Sequence, residues 1–163
     1  MRLLQPQLQP QVELRLTAYY LEAAPNDSVV LEWTDINYLI PDISQNVSDT
    51  TDWGIGMGRR NTAIIINHAA GNSYNAPAAR ACYDYTGGGN TDWFLPSRNE
   101  LNELYILYLT KGQGSYGDLK SNWYWSSSQH TTATAWRQEF FAGVQSGISK
   151  DQKVAYVRPV RAF

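Results

Sequence analysis

Short aromatic runs separated by small polar residues fill the C-terminal part of this 163-residue chain and constrain its fold more than any other feature. The runs are WYWSSS from Trp123, AWRQEFF from Ala135, and AYVRPVRAF from Ala155. Short runs rich in aromatic and β-branched residues, with turn-forming residues between them, are typical of strands joined by hairpins. The pattern therefore predicts a twisted antiparallel sheet from Asn122 onward.

The middle of the chain predicts two helices. Asn75 is a suitable N-cap for the first, and Pro77 falls in its first turn, where the missing N–H costs nothing. Ser97 and Glu100 have the spacing of a capping box at the start of the second. Apolar residues then recur on one side of that helix at helical spacing, namely Leu101, Leu104, Tyr105 and Tyr108.

The N-terminal part predicts strands and loops around these helices. Residues 1–11 alternate Gln and Pro, which indicates an extended lead-in. Val12–Leu21 predicts a strand, and the β-branched Thr62–Asn67 predicts a buried one. Residues 41–53 are polar and predict a loop. Strands, two helices and then more strands give an α+β fold, in a single domain over residues 12–163.

Composition and charge argue against several classes of function. A net charge of −2 without a basic cluster is not typical of nucleic-acid binding. No run approaches the ~20 apolar residues that span a bilayer, so we expect no direct membrane insertion. The first residues lack the apolar centre of a signal peptide. We therefore expect either a protein that is not exported by that route or a chain that begins after such a signal.

Residues that carry catalysis or bind metals are sparse. His68 and His130 are far apart, without metal-ligand spacing. Ser126–Ser128 lack the Gly-x-Ser-x-Gly pattern of a nucleophile elbow, and Gly54–Arg60 lacks the ending of a phosphate-binding loop and predicts an ordinary connection. Cys82 is the single cysteine, so it forms no internal disulfide, and we expect it to be buried. We predict no catalytic residue, no metal site and no cofactor, and hence no enzyme.

Three motifs in a fixed order carry a family resemblance. They are DWFLPSRNELNELY from Asp92, WYWSSS from Trp123 and YVRPVRAF from Tyr156. Together they resemble the bacterial domain family found at the C-terminus of Legionella collagen-like protein, over roughly residues 50–163. That family is similar to the C-type-lectin and formylglycine-generating-enzyme folds. The resemblance implies a C-type-lectin-like fold, in which two helices pack on twisted antiparallel sheets and an irregular, hairpin-bearing face binds the ligand.

Two activities of related proteins are not implied. The chain lacks the Glu-Pro-Asn, Gln-Pro-Asp and Trp-Asn-Asp motifs with which true lectins bind sugars through calcium. It also lacks the cysteine pair of formylglycine-generating enzymes.

Residues 126–163 carry a narrower resemblance, to the variable regions of proteins diversified by retroelements, the class that includes the phage major tropism determinant. In that class Asn codons of the form AAY change to many residues, but never to Gln, Glu, Lys, Met or Trp. No Asn occurs from Ser126 onward, whereas residues 1–125 contain eleven. The resemblance implies a fixed scaffold that includes Gln129, Trp136, Gln138, Glu139, Gln145, Lys150, Gln152 and Lys153.

The residues that such codons can produce form a mixed set without shared chemistry, which is unusual for ordinary strands. The resemblance implies that this set contacts the ligand: His130, Thr131, Thr132, Thr134, Arg137, Phe141, Ala142, Val144, Ser146, Gly147, Ile148, Ser149, Asp151, Val154 and Ala155. The alternative is that Phe141, Val144 and Ile148 are core residues of strands.

Other residues of the tail are expected to hold this surface in place. Arg158 and Arg161 lie in the fixed terminal motif and are predicted to pair within the protein. The predicted buried anchors are Trp123, Trp125, Trp136, Phe140, Tyr156, Val157, Val160 and Phe163, each stabilising by roughly 1.5–3 kcal/mol when fully buried.

The resulting hypothesis is a ligand-binding, receptor-recognition protein on a phage tail or a bacterial cell surface, with a diversified C-terminal surface. Its partner would be a protein or a glycan on a target surface. The alternative is an undiversified surface adhesin or glycan-binding domain of the same fold. A hydrolase or modifying enzyme is a third hypothesis, for which no acidic or cysteine cluster stands out. The ligand and the oligomeric state stay open.

Overall fold

The computed structural model describes residues 20–44, 51–111 and 119–163. The predicted lead-in at residues 1–11 and nearly all of the predicted strand Val12–Leu21 lie outside the described residues.

Within the described residues, three helices and two antiparallel sheets form the fold. In chain order the elements are β1 (Leu21–Ala23), α1 (Met57–Asn72), α2 (Pro77–Tyr83), α3 (Arg98–Lys111), β2 (Trp123–Gln129), β3 (Thr134–Glu139), β4 (Gln145–Ser149) and β5 (Val160–Ala162). β1 pairs with β5, and the other sheet has the order β2-β3-β4. This mixture of helices and antiparallel strands confirms the predicted α+β class, with three helices instead of two.

The additional helix corrects a wrong prediction, because residues 62–67 form the middle of α1 and not a strand. Their β-branched side chains favour a strand in isolation, but tertiary packing overrides that preference. The buried residues recur at helical spacing along one side of α1, namely Asn61, Thr62, Ile65, Ile66 and Ala69.

The start of α1 corrects a second prediction, since the helix begins inside the Gly54–Arg60 stretch that was expected to be a simple connection. Gly58, in the first turn, comes very close to the segment before α3. A Cβ on Gly58 would lie 2.8 Å from both Leu95 O and Ser97 N, a separation that real Cβ atoms do not reach. A glycine is therefore needed where these two segments meet.

The predicted capping box at α3 is confirmed. Ser97 N–H donates to Glu100 Oε2 (2.7 Å), and Glu100 N–H donates to Ser97 Oγ (3.2 Å). The other carboxylate oxygen of Glu100 accepts from Gly56 N–H (2.7 Å), just before α1. Burial raises the pKa of Glu100, against the lowering effect of these donors. One buried carboxylate thus joins the starts of two helices.

The predicted cap of α2 is wrong. The residue before this helix is Ala76, and no side chain caps it. Asn75 is instead bonded to Asp35, which accepts from its backbone N–H (2.8 Å) and from its side-chain amide (2.6 Å). Pro77 does occupy the first turn, as expected.

Two clusters of buried side chains form the core. The first surrounds Trp33, Ile65 and Trp125 and includes Cys82, which is fully buried as expected. The second lies between α3 and the sheets and contains Leu101, Leu104 and Phe140, with Tyr105 and Tyr108 packed against it. The apolar side of α3 is therefore the one that the sequence predicts.

Most of the predicted anchors are at least partly buried. Trp125, Phe140, Val157 and Val160 are fully buried, and Trp123, Trp136 and Tyr156 are partly so. The prediction for Phe163 is wrong, because its side chain is 66% exposed. Its ring stacks on Tyr20 beside the β1–β5 pair, with centroids 6.1 Å apart.

The two arginines of the terminal motif pair within the protein, as predicted. Arg158 Nε donates to Asp27 Oδ1 (2.6 Å), and both side chains are buried. Arg161 reaches Asp92 Oδ1 and Glu22 Oε2, each at 2.9 Å. In the described ranges, no helix combines the length and the apolar composition needed to cross a membrane.

Candidate ligand-binding face

The β2-β3-β4 sheet divides most of the predicted binding residues between its two ends. Thr134 pairs with Ser149, and Gln138 pairs with Gln145. The β2–β3 turn and the segment after β4 therefore lie at one end, and the β3–β4 turn lies at the other. Along β3 these ends are roughly 17 Å apart, at about 3.4 Å per residue. The predicted set is thus not one compact patch.

The first end, here called the Thr131 end, comprises His130, Thr131, Thr132, Thr134, Ser149 and Asp151. His130 Nδ1 and Thr131 Oγ1 each lie within hydrogen-bond distance of Thr134 Oγ1, at 2.8 and 2.7 Å. Ser149 Oγ donates to Asp151 Oδ1 (2.7 Å). Thr131, Thr132 and Asp151 are exposed. This end presents hydroxyls and one carboxylate to solvent.

Lys150 supports the Thr131 end from beneath. Its Nζ donates to Tyr38 O (2.6 Å), Gln129 Oε1 (2.7 Å) and Thr132 O (2.9 Å), and the residue is fully buried. Gln129 in turn donates to the carbonyls of two residues of the loop before α1, Ile40 and Ile43. Burial lowers the pKa of Lys150 to about 7. Two predicted scaffold residues therefore fix the backbone of this turn.

Two residues at this end were missed by the sequence analysis. Asn37 Nδ2 donates to Asp151 Oδ2 (3.3 Å), and Ser149 Oγ donates to Asn37 Oδ1 (3.4 Å). Tyr38 is exposed and stacks on Tyr74, with centroids 5.6 Å apart and the rings nearly parallel. More than a hundred positions separate Asn37 from Asp151 in the chain, so no local pattern links them.

The second end, here called the Phe141 end, comprises Phe141, Ala142 and Val144. Phe141 is 78% exposed and Val144 is 52% exposed, so neither is a core residue. The carboxylate of Glu139 accepts from the N–H groups of Phe141 (2.8 Å) and Ala142 (2.6 Å). A predicted scaffold residue therefore holds the turn without using its exposed side chains.

The predicted residues between the two ends have mixed positions. Ile148 and Val154 are partly buried and pack against the first core cluster, as the core alternative expected for Ile148. Arg137 lies over Trp123, with its guanidinium carbon 3.8 Å from a ring centroid. Ser146 is half-buried on the same strand as Ile148. Ala155 is fully buried in the core, so its prediction as a contact residue is wrong.

One side of the sheet, here called the Trp136 face, carries Thr134, Trp136, Gln138, Gln145, Gly147 and Ser149. Arg98, the first residue of α3, reaches this face. Its guanidinium carbon lies 3.9 Å from a ring centroid of Trp136 and 4.4 Å from one of Trp53. No sequence signal marks this site, because Arg98 looks like an ordinary residue in the first turn of a helix.

A chain of side-chain amides fixes Arg98. Its Nε–H donates to Gln145 Oε1 (2.7 Å). Gln145 Nε2 donates to Gln138 Oε1 (3.2 Å), and Gln138 Nε2 donates to Asn102 Oδ1 (2.9 Å). Gln138 is buried and Gln145 is half-buried, and both belong to the predicted scaffold. The guanidinium is therefore held by residues outside the mixed set.

His130 and Gly147 depend on each other on this face. The His130 ring lies 4.4 Å from the Trp136 ring, centroid to centroid, and a Cβ on Gly147 would collide with its imidazole. Burial lowers the pKa of His130, and the charge of Arg98 lowers it further. A larger side chain at position 147 would therefore displace His130.

The groups that could act chemically are separated. His68 lies on α1, remote in sequence from His130, and its Nδ1 is 2.8 Å from Tyr74 Oη. Cys82 is fully buried, and burial raises the pKa of its thiol. Over the described ranges, no three His, Cys, Asp or Glu side chains come together in a way that could hold a metal ion.

Comparisons with known proteins place the chain in context. The sequence model of the Lcl C-terminal domain matches residues 22–161. Among solved structures, the fold is similar to a fimbrial protein from Bacteroides ovatus ATCC 8483, with a TM-score of 0.54 and 14% sequence identity. The match covers 86% of this chain and 35% of the fimbrial protein. A search of curated proteins gave no match.

Proposed function

Because the chain belongs to the Lcl C-terminal domain family, we propose that it is a ligand-binding domain of a bacterial surface or phage-tail protein, with a C-type-lectin-like fold. The match to a fimbrial protein supports display on a surface, and the chain spans about 35% of that protein's length. The proposal includes a protein or glycan ligand, no resident cofactor, and binding without catalysis.

One observation carries this proposal: scaffold side chains beneath the two ends of the sheet hold the turns that display the exposed side chains. Lys150 and Glu139 bond to the carbonyl or N–H groups of the two turns. Phe141 and Val144 are thus free to meet a ligand. Thr131 is exposed as well, and its hydroxyl also stabilises the turn by accepting from the N–H groups of Ala133 and Thr134. Loops that bind on a rigid support follow the same physical principle.

Binding by each end is tested with paired variants. One double variant carries Thr131→Ala and Thr132→Ala, and the other carries Phe141→Ser and Val144→Ser. We expect each double variant, and the two combined, to weaken binding at least tenfold, because they remove exposed contact groups. The control is Tyr83→Ser, which replaces an exposed aromatic residue on α2, outside the sheet. The labelled chain is applied to a printed glycan array and to intact cells from a bacterial panel, with and without protease treatment.

These measurements can contradict the proposal. Specific binding that survives unchanged in both paired variants would remove the two ends of the sheet from the binding surface. Loss of binding in Tyr83→Ser alone would place the site on α2. Protease-sensitive binding would assign the ligand as a protein, and array binding would assign it as a glycan.

The finer part of the proposal is that a retroelement diversifies this surface. The mixed chemistry of the exposed set and the absence of Asn after Trp125 support it. We expect the DNA downstream of the Phe163 codon to contain a near-copy of the gene's 3′ end, with AAY at positions such as those of Thr131, Phe141 and Val144. A complete locus without such a copy would refute diversification and leave ligand binding untouched.

Specific observations favour the alternative, an undiversified adhesin or glycan-binding domain. Ala155 belongs to the core, and a side chain at Gly147 would collide with His130. Free variation at these two positions would disturb the fold. Under this alternative the same face binds one fixed ligand, and the downstream copy is not found.

A further inference from the structure

The Trp136 face holds a cation whose outer donors have no partner among the described residues. Arg98 uses its Nε–H on Gln145, while no acceptor for its two terminal nitrogens occurs within the described ranges. No carboxylate pairs with it there, although other arginines, such as Arg158 and Arg161, do form ion pairs. Burial alone lowers the pKa of Arg98, with no neighbouring anion to raise it.

Two further donors nearby are also unused. The indole Nε1–H groups of Trp53 and Trp136 are buried, and neither has an acceptor in the described part of the chain. Both rings contact Arg98. Buried polar groups without partners are uncommon in folded proteins and call for an explanation. The surroundings of Arg98 therefore have more donors than acceptors.

We propose that Arg98 is a fixed anchor on the Trp136 face that binds an Asp or Glu carboxylate of a protein ligand. A carboxylate only accepts hydrogen bonds, and its two oxygens match the planar fork of a guanidinium. This inference rests on the proposed function, because it names a ligand group for the same face.

The geometry prepares Arg98 for this role. Stacking on two indoles and the bond to Gln145 limit the guanidinium to one orientation, so little side-chain entropy is lost when a carboxylate binds. Arg98 itself is half-buried, and its outer edge is not sealed from solvent.

The nearby surface favours a protein over a glycan as the source of the carboxylate. Arg and Trp are enriched among the residues that dominate protein–protein binding energy. At the Phe141 end of the same sheet, Phe141 and Val144 expose apolar area suited to an apolar partner. A cation flanked by aromatic rings and an apolar tip together fit an acidic protein segment.

The test titrates the intact chain with small probes and follows the Arg98 Nε–H and the Trp53 and Trp136 indole N–H signals by NMR. The protein-type probe is N-acetyl-glutamate methylamide, and its neutral partner is N-acetyl-glutamine methylamide. Glucuronate and glucose form the saccharide pair. We expect saturable shifts with the glutamate probe, at least tenfold weaker binding of the glutamine probe, and no response to either sugar.

Variants separate anchoring from folding. Arg98→Met is expected to abolish the response of the two indole signals, and Arg98→Lys to weaken binding at least tenfold, because lysine keeps the charge but loses the fork. Arg59→Met is the matched control, since Arg59 is an exposed arginine over Phe94 at 5.5 Å. Unchanged backbone signals of β2 show that each variant is folded. If Arg98→Met does not fold, Arg98→Lys provides the test.

Each contrary result has a definite meaning. Equal shifts with the glutamate and glutamine probes, or a normal titration of Arg98→Lys, would overturn the anchor. Shifts with glucuronate but not with the glutamate probe would overturn the choice of a protein ligand. If the end variants lose ligand binding while Arg98 does not bind the carboxylate probes, the proposed function stands without the anchor. If Arg98 binds the probe but the end variants bind normally, the anchor stands and the proposed ends fail.

Discussion

At the scale of single residues, Lys150 places a titratable amine in the interior of the protein. Three acceptors surround its Nζ, two of them backbone carbonyls, and Trp33 lies 4.9 Å away, from Nζ to a ring centroid. Burial lowers its pKa from 10.5 to about 7, because the charged form loses its hydration. The residue that shapes the Thr131 end therefore makes stability depend on pH.

The sign of this dependence follows from proton binding. Between about pH 7 and 10.5 the unfolded chain keeps the Lys150 proton while the folded protein releases it, so the free energy of unfolding rises with pH in this window. Below pH 7 both states are charged, and the full burial penalty is present. We expect the difference in the free energy of unfolding, wild type minus Lys150→Met, to rise between pH 7 and 9.5, by at most about 1.4 kcal/mol per pH unit.

Chemical denaturation across this pH range measures the difference. Lys153→Met is the matched control, because Lys153 is an exposed lysine in a salt bridge with Glu32. The difference in the free energy of unfolding between wild type and Lys153→Met is expected to change little with pH. A flat difference for Lys150→Met would mean that Lys150 stays charged in the folded protein, held by its three acceptors.

At the scale of elements, local signals predicted what local physics determines. The capping box at Ser97 and Glu100 and the apolar side of α3 are properties of one turn or one helix face. The antiparallel strands around Trp136 followed from short aromatic runs separated by turn-forming residues. The strand prediction for residues 62–67 failed because their β-branched side chains suit a strand, while burial along one side of α1 determines their conformation.

The candidate site was predictable in part, for the same reason. The tail pattern separated exposed residues such as Thr131 and Phe141 from buried ones such as Gln138 and Lys150. It could not find Asn37, Tyr38 or Arg98, because their places at the sheet depend on contacts between segments far apart in sequence. It also included Ala155, since a codon rule carries no information about burial.

At the scale of the whole molecule, the side chains that hold the turns are largely different from the exposed side chains of the mixed set. Buried amides and charges fix the turns: Gln129 bonds to Ile40, Ile43 and Lys150, and Gln138 bonds to Asn102. The exposed side chains at both ends add little burial. The fold should therefore tolerate large changes at these ends and respond strongly to small changes beneath them.

The last prediction tests this separation with one combined variant and one single variant. Changing the six exposed positions of the mixed set to serine is expected to shift the free energy of unfolding by at most about 0.5 kcal/mol each. These are Thr131, Thr132, Phe141, Ala142, Val144 and Asp151. The single change Gln129→Ala should cost about 1–3 kcal/mol or more, because it removes the donor to Ile43 O, the acceptor of the Ile40 N–H and one of the three acceptors of the Lys150 amine. Urea denaturation compares the two variants. If the combined variant loses on average more than about 0.5 kcal/mol per changed position, the exposed side chains help to hold the fold, and neither free diversification nor a rigid support for binding would describe this face.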